Sequence, residues 1–207
     1  MGSTSTQIQT WSPPSLIYEL PSIVKPLDLS TLFPKAGALE LELGSGDGSF
    51  LVELAGTHPD RNFIGVERLL GRVRKLDRKA RRAGLSNVRA IRIESSYFLE
   101  YLLPAHSASA LHIYFPDPWP KRKHRKHRLV NSHFPALAQT ALTAKGTVYL
   151  RTDDADYFHQ MQAVFNATPA FHLVATPVNL AELTTDFERD FAARDIKALH
   201  SAYQLRA

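Results

Sequence analysis

From Ala38 onward the chain alternates between two spacings of apolar residues. Short apolar runs at Ala38–Leu43, Asn62–Glu67, Val88–Ile93, Ala110–Phe115 and Thr147–Arg151 read as strands. Between and after them, Gly48–Gly56, Leu69–Ala83, Tyr97–Leu103, Ser132–Thr143 and Asp154–Asn166 carry helical spacing. In the second of these, Leu69, Val73, Leu76 and Ala80 form one stripe, and Arg or Lys fills nearly every other position. Strand and helix in regular turn predict a parallel sheet covered on both faces. The pattern weakens toward the end: Phe171–Ala175, a loop through Thr185, Asp186, Phe187 and Glu188, and a last strand at Ile196–Tyr203. Residues 1–37 are Pro-rich and weakly patterned, and read as an N-terminal arm wrapped on the surface and partly disordered. Residues 38–207 read as a single domain.

Composition narrows the class. Hydrophobic content of 44% and charged content of 22% belong to a soluble globular protein. No apolar run approaches the length of a membrane span. The chain has no cysteine, which removes disulfides and thiolate metal sites and is compatible with a reducing cytoplasm. The net charge of +5 says less than its placement. Basic residues concentrate at Arg68–Arg82 and Lys121–Arg128, whereas acids are spread, which suggests one cationic face and a nucleic-acid partner.

The second basic cluster follows an unusual element, Phe115-Pro116-Asp117-Pro118-Trp119-Pro120. Proline fixes φ, so Asp117 is held between two restricted neighbours beside an aromatic ring. Six Lys/Arg and two His come next, from Lys121 to Arg128. A rigid acid and a stacking ring beside dense positive charge suggest a pocket for a flat polar group on a polyanion. Arg122, Arg125, Lys126 and Arg128 are the expected phosphate contacts. His124 and His127 form an HxxH pair, but a basic surround repels a cation, so no metal is expected.

A further signal is Leu41-Glu42-Leu43-Gly44-Ser45-Gly46-Asp47-Gly48, a strand entering a Gly-rich turn and then a helix. Its GxGxG spacing lacks the glycine that a dinucleotide fingerprint uses for pyrophosphate. It is better matched to S-adenosylmethionine, which has no phosphate. Glu67 ends the next strand, where a carboxylate can hold ribose hydroxyls, and Glu94 ends the third, facing the adenine edge.

These motifs together resemble the tRNA (guanine-N7-)-methyltransferase family. The resemblance runs from about Leu39 to Tyr203 and is most specific at Phe115–Val130. It implies a Rossmann-like class I methyltransferase fold, with a mostly parallel seven-stranded sheet and helices on both faces. It implies methylation of guanine 46 in the tRNA variable loop, with S-adenosylmethionine as donor and a tRNA partner, by a cytoplasmic monomer or homodimer. By position, Glu42, Gly44, Gly46, Glu67, Glu94 and Asp117 fall on cofactor-binding residues, with Glu94 where aspartate is usual. Asp117 matches the family's proposed catalytic residue. Lys121, Asp153, Thr185, Asp186, Phe187 and Glu188 match its tRNA- or guanine-binding positions.

Two other readings stand beside this one. Methyltransferases of exocyclic amines carry an acid- or amide-Pro-Pro-aromatic turn at the same strand end, but here Trp119 replaces the second proline. A non-catalytic RNA-binding protein on the same fold would not need to retain Glu42, Glu67 and Asp117.

Overall fold

The computed structural model describes residues 14–185, 188 and 197–207. Asp186 and Phe187, expected to touch substrate, lie outside the described residues. Five strands run parallel: β1 (Ala38–Leu43), β2 (Arg61–Glu67), β3 (Val88–Arg92), β4 (Ala108–Tyr114) and β5 (Leu142–Thr152). Two more, β6 (Phe171–Val174) and β7 (Leu199–Leu205), complete a seven-stranded sheet in the order 3-2-1-4-5-7-6, with β7 antiparallel to both neighbours. The chain moves outward from β1 through β2 to β3, then returns to place β4 on the other side of β1. Such a reversal opens a crevice beyond the carboxyl ends of β1 and β4.

The helices cover both faces. On one, α1 (Ser49–Thr57), α2 (Leu70–Arg82) and α6 (Val178–Glu182) bury Leu51, Leu54, Val73, Leu76, Ala80 and Leu180. On the other, α3 (Ser95–Tyr97, continued by a π-helical turn Phe98–Leu102), α4 (Phe134–Ala141) and α5 (Ala155–Asn166) supply Phe98, Phe134, Ala138, Met161 and Phe165.

Double coverage decides the fate of β1, whose sequence is ALELEL. Leu39, Leu41 and Leu43 alternate toward the α4–α5 side, so Glu40 and Glu42 point to the other side. That side is also covered, and both acids are buried. A buried carboxylate needs a partner or a proton. Glu40 has partners: Arg61 on β2 at 2.7 Å and the Nε2 of His112 on β4 at 2.8 Å. Burial alone would raise its pKa, but these bonds and charges hold it below the usual carboxylate range. His112 is fully buried as a core residue, and its Nδ1 meets the Tyr114 hydroxyl at 2.9 Å.

Several boundaries differ from the sequence expectation. The fourth helix stops at Ala141 and β5 begins at Leu142, because Leu142 is already in register with Ala108 of β4. Leu69 does not join the buried stripe of α2; it precedes the helix and is 47% exposed. The arm packs closely from Leu16 on: Ile17 bridges Ala90 at the β3 edge, Leu16 N–H donates to Asp77 at 2.7 Å, and Leu27 and Leu32 enter the core. A bridged edge is one way proteins protect unpaired strand groups. Among the described residues, no helix is long and apolar enough to cross a membrane.

Candidate active site

The Gly-rich turn joins β1 to α1 at the crevice. Gly44, Gly46 and Gly48 have φ of 77°, 55° and 79°, a region that L side chains rarely adopt. A Cβ on Gly48 would lie 2.4 Å from Leu76 Cγ, so that glycine lets α2 press against the turn. A Cβ on Gly44 or Gly46 would meet nothing within 4 Å, so there the bare backbone faces open space. Glu67, at the end of β2, accepts from Gly46 N–H at 3.1 Å and Leu69 N–H at 2.8 Å, tying the turn to the start of α2. Each oxygen keeps lone pairs for a further donor.

Two adjoining cavities fill the crevice. The larger, about 430 Å³, is lined by Glu67, Glu94, Asp117 and Trp119, with Arg68 and Arg72 on one wall and His127 on another. The smaller, about 160 Å³, is lined by Glu42, Ser45, Asp47 and Thr185; Gly44, Arg72 and Phe115 belong to both. Glu42 Oε2 and Ser45 Oγ are buried without a hydrogen-bond partner among the described residues. Burial, then the nearby Asp47 charge, pushes the Glu42 carboxyl well above its usual range, opposed only in part by Arg151. Asp47 behaves oppositely: burial would raise it, but hydrogen bonds from Lys79, at 2.6 Å, and from Ser49 bring it below the ordinary value. An orphaned buried carboxylate beside an open polar cavity fits the donor end of a cationic ligand. The residues present therefore fit S-adenosylmethionine.

Glu94 is placed on the larger cavity, yet it also caps α3, accepting from Ser96 N–H at 3.0 Å and Tyr97 N–H at 2.8 Å. The turn after β4 is strained: Phe115 and Trp119 have φ of 49° and 43°, costly for bulky residues, on the order of 1–3 kcal/mol each. Between them Asp117 is exposed on the cavity. The Trp119 ring lies 5.2 Å from His127 and 5.9 Å from His124, so the two histidines pack on the indole.

The basic run divides. Lys121, Arg122 and Lys126 are exposed. Arg125 is exposed but paired with Asp156 at 3.0 Å. Arg128 departs from its expected role as a phosphate contact. Its side chain is 1% exposed and donates to Pro118 O at 2.6 Å, Asp156 at 2.7 Å and Gln160 at 2.8 Å, lying over the Tyr157 ring. A guanidinium enclosed in this way, with each of its three nitrogens donating inside the protein, is out of reach of a phosphate. It clamps the Pro-Asp-Pro-Trp turn to α5.

Asp153 is exposed at the end of β5. Thr185 and Glu188 form the reciprocal bonds of a capping box: Glu188 Oε2 accepts from Thr185 N–H at 2.7 Å, and Thr185 Oγ1 accepts from Glu188 N–H at 3.1 Å. Thr185-x-x-Glu188 spells that motif in the sequence itself. Arg151 belongs to no motif and ends an apolar run. This residue is buried at the end of β5, packs over Tyr114 with its Cζ 4.4 Å from the ring centroid, and bonds Glu188 at 2.9 Å and the carbonyls of Leu180 and Leu183. The Glu188 carboxylate is thus turned inward, and Thr185 lines the smaller cavity.

Residues 37–201 match the family described as putative methyltransferase. The tRNA (guanine-N(7)-)-methyltransferase of Alkalilimnicola ehrlichii is 32% identical over 93% of this chain and 81% of its own length. The chain belongs to the tRNA (guanine-N7-)-methyltransferase family. Another member, from Leifsonia xyli, is 38% identical over 86% of this chain and 79% of its own. The member from Syntrophotalea carbinolica is 37% identical, with this chain spanning 62% of its length. Among solved structures, the 16S rRNA methyltransferase KamB superposes with a TM-score of 0.63 over 88% of this chain and 95% of its own, at 15% identity. Identity that low speaks for the fold alone, a Rossmann-like class I methyltransferase fold.

Proposed function

We propose that this family member transfers a methyl group from S-adenosylmethionine to N7 of guanine 46 in the tRNA variable loop, in the cytoplasm. The observation that carries the reading is the buried carboxyl of Glu42, whose Oε2 has no hydrogen-bond partner among the described residues, in a crevice that continues to Asp117 and Trp119. When bound, S-adenosylmethionine supplies an electrophilic methyl group on a sulfonium. Glu42 and the Gly44–Gly46 backbone would hold its charged amino-acid end, and Glu67 and Glu94 its nucleoside.

Guanine N7 carries a lone pair and no proton, so its attack requires no general base. The protein's task is alignment and stabilisation of the charge that forms on the base. Asp117, fixed in a strained turn and braced from behind by Arg128, supplies a carboxylate at the cavity for that cation. Trp119 offers a ring to the base. Thr185 lines the smaller cavity and Asp153 is exposed just past the end of β5, where each could meet the substrate, while Lys121, Arg122 and Lys126 hold phosphates, which adds affinity without sequence information.

The test is labelled S-adenosylmethionine with unmodified tRNA, followed by nucleoside analysis. Label in N7-methylguanosine is expected. Label on an exocyclic amine would replace the reading with amine methylation. No transfer, with no cofactor binding by calorimetry, would leave an RNA-binding protein.

A further inference from the structure

Helix α2 carries seven Lys or Arg and a single acid, Asp77. Some of these cations have structural work. Lys79 pairs with Asp47 and Arg81 with Asp77, and Arg72 lies 3.8 Å from Glu67. Those in the last turn also favour the helix dipole. Neither reason covers Arg74, Lys75 and Arg78. All three are exposed, lie mid-helix, and form no ion pair among the described residues. At 100° per residue Arg78 falls between the other two on one outward face. Arg74 and Arg78 are four apart, a like-charge spacing that weakens an isolated helix. An exposed face designed only for solvation mixes signs; this one does not.

Its position adds direction. The start of α2 is the wall of the larger cavity, where Arg68, Leu69 and Arg72 line it. From Leu70 to Arg78 the helix rises about 12 Å. The Trp119–His127 wall, with Lys121, Arg122 and Lys126 beyond it, stands across the same cavity. Positive charge therefore flanks the mouth on two sides.

We propose that Arg74, Lys75 and Arg78 form a second phosphate-binding strip, so that the tRNA backbone is held on both sides of the cavity. The proposal rests on tRNA being the substrate. Two anchor lines across one mouth resist the tilting that a single line allows, which would keep the variable-loop base over Asp117.

The experiment uses the full chain and an unmodified tRNA transcript. Binding across a salt series and steady-state methylation are measured for the wild type, R74Q/K75Q/R78Q and R122Q/K126Q. Glutamine keeps helix propensity. In the α2 variant the slope of log affinity against log salt should shrink by about 0.7–0.9 per lost contact. KM for tRNA should rise about tenfold or more, with kcat, cofactor affinity and the thermal midpoint held. R74K/R78K, which keeps the charge, should retain the wild-type slope. If the α2 variant keeps the wild-type slope and KM while R122Q/K126Q loses affinity, the strip is a solvated face and the proposal falls alone. If the wild type itself neither binds nor methylates the transcript, the tRNA reading falls with it.

Discussion

Arg128 donates through Nε to the carbonyl oxygen of Pro118 at 2.6 Å. Through this bond, a residue at the end of the basic run fixes the turn that presents Asp117. The other two edges of the guanidinium reach Asp156 and Gln160 on α5, so the turn is tied to a helix seated on the sheet. The bond also explains how two bulky residues stay at positive φ: the surrounding structure over-determines the turn.

Arg128→Ala should therefore lower stability, by about 2–3 kcal/mol, the scale of losing several hydrogen bonds to a charged group whose acidic partner remains partly solvated. Arg128→Lys keeps the charge and loses the fork, and should recover only part of this. Thermal melts read the effect. The salt slope of tRNA binding should stay at the wild-type value in Arg128→Lys; a slope reduced by one contact would return Arg128 to the phosphate-binding set.

Asp117→Asn keeps shape and hydrogen bonding but removes charge. It should lower kcat by about 10²–10³, the scale of one preorganised electrostatic group. tRNA affinity should hold. Single-turnover rates with saturating tRNA separate the two, and a wild-type rate would exclude Asp117 from charge stabilisation.

Glu42→Gln should separate stability from binding. The folded carboxyl keeps its proton to higher pH than its ordinary 4.5, because it is buried and near Asp47. From there up to its raised folded value this group binds more protons in the native state than in the unfolded chain, so its contribution to stability falls as pH rises above about 4.5. Glutamine removes that decline. The variant should melt higher than the wild type at neutral pH, yet bind S-adenosylmethionine about tenfold or more weakly, as for a lost buried hydrogen-bond partner. Melting curves from pH 4 to 8 (roughly the span between carboxylate and neutral conditions), paired with calorimetry, check both halves. An unchanged cofactor affinity would remove Glu42 from the site.

The glycines of the turn should not respond alike. Gly48→Ala drives a Cβ into Leu76 and keeps a left-handed backbone, so it should cost about 2–4 kcal/mol. Gly44→Ala meets no neighbour and should cost about 1–2 kcal/mol from its backbone alone, while blocking ligand approach. Denaturant titration of the two variants, with cofactor affinity measured on each, tests the division between a packing and a binding glycine.

Much was legible in the sequence because it is local. The alternation of periods sets five parallel strands and their helices, since each element answers to its own spacing of apolar residues. The glycine turn, the acids at strand ends and the Pro-Asp-Pro-Trp turn lie within a few residues of the backbone features they require. A parallel sheet then brings its strand ends to one edge, so Glu42, Glu67, Glu94 and Asp117 gather at one crevice. What the tertiary structure alone decided is which polar groups find partners. Glu40 and Glu42 share a strand, a face and a residue type, but His112 and Arg61 reach only the first. Arg125 and Arg128 stand three apart in one basic run, yet one is exposed and the other enclosed, because α5 packs over the second. Arg151 and Glu188 meet across 37 residues of chain. Whether a charge is solvated, paired or left for a ligand depends on what other segments place beside it, and the periodicity of one segment carries no record of that.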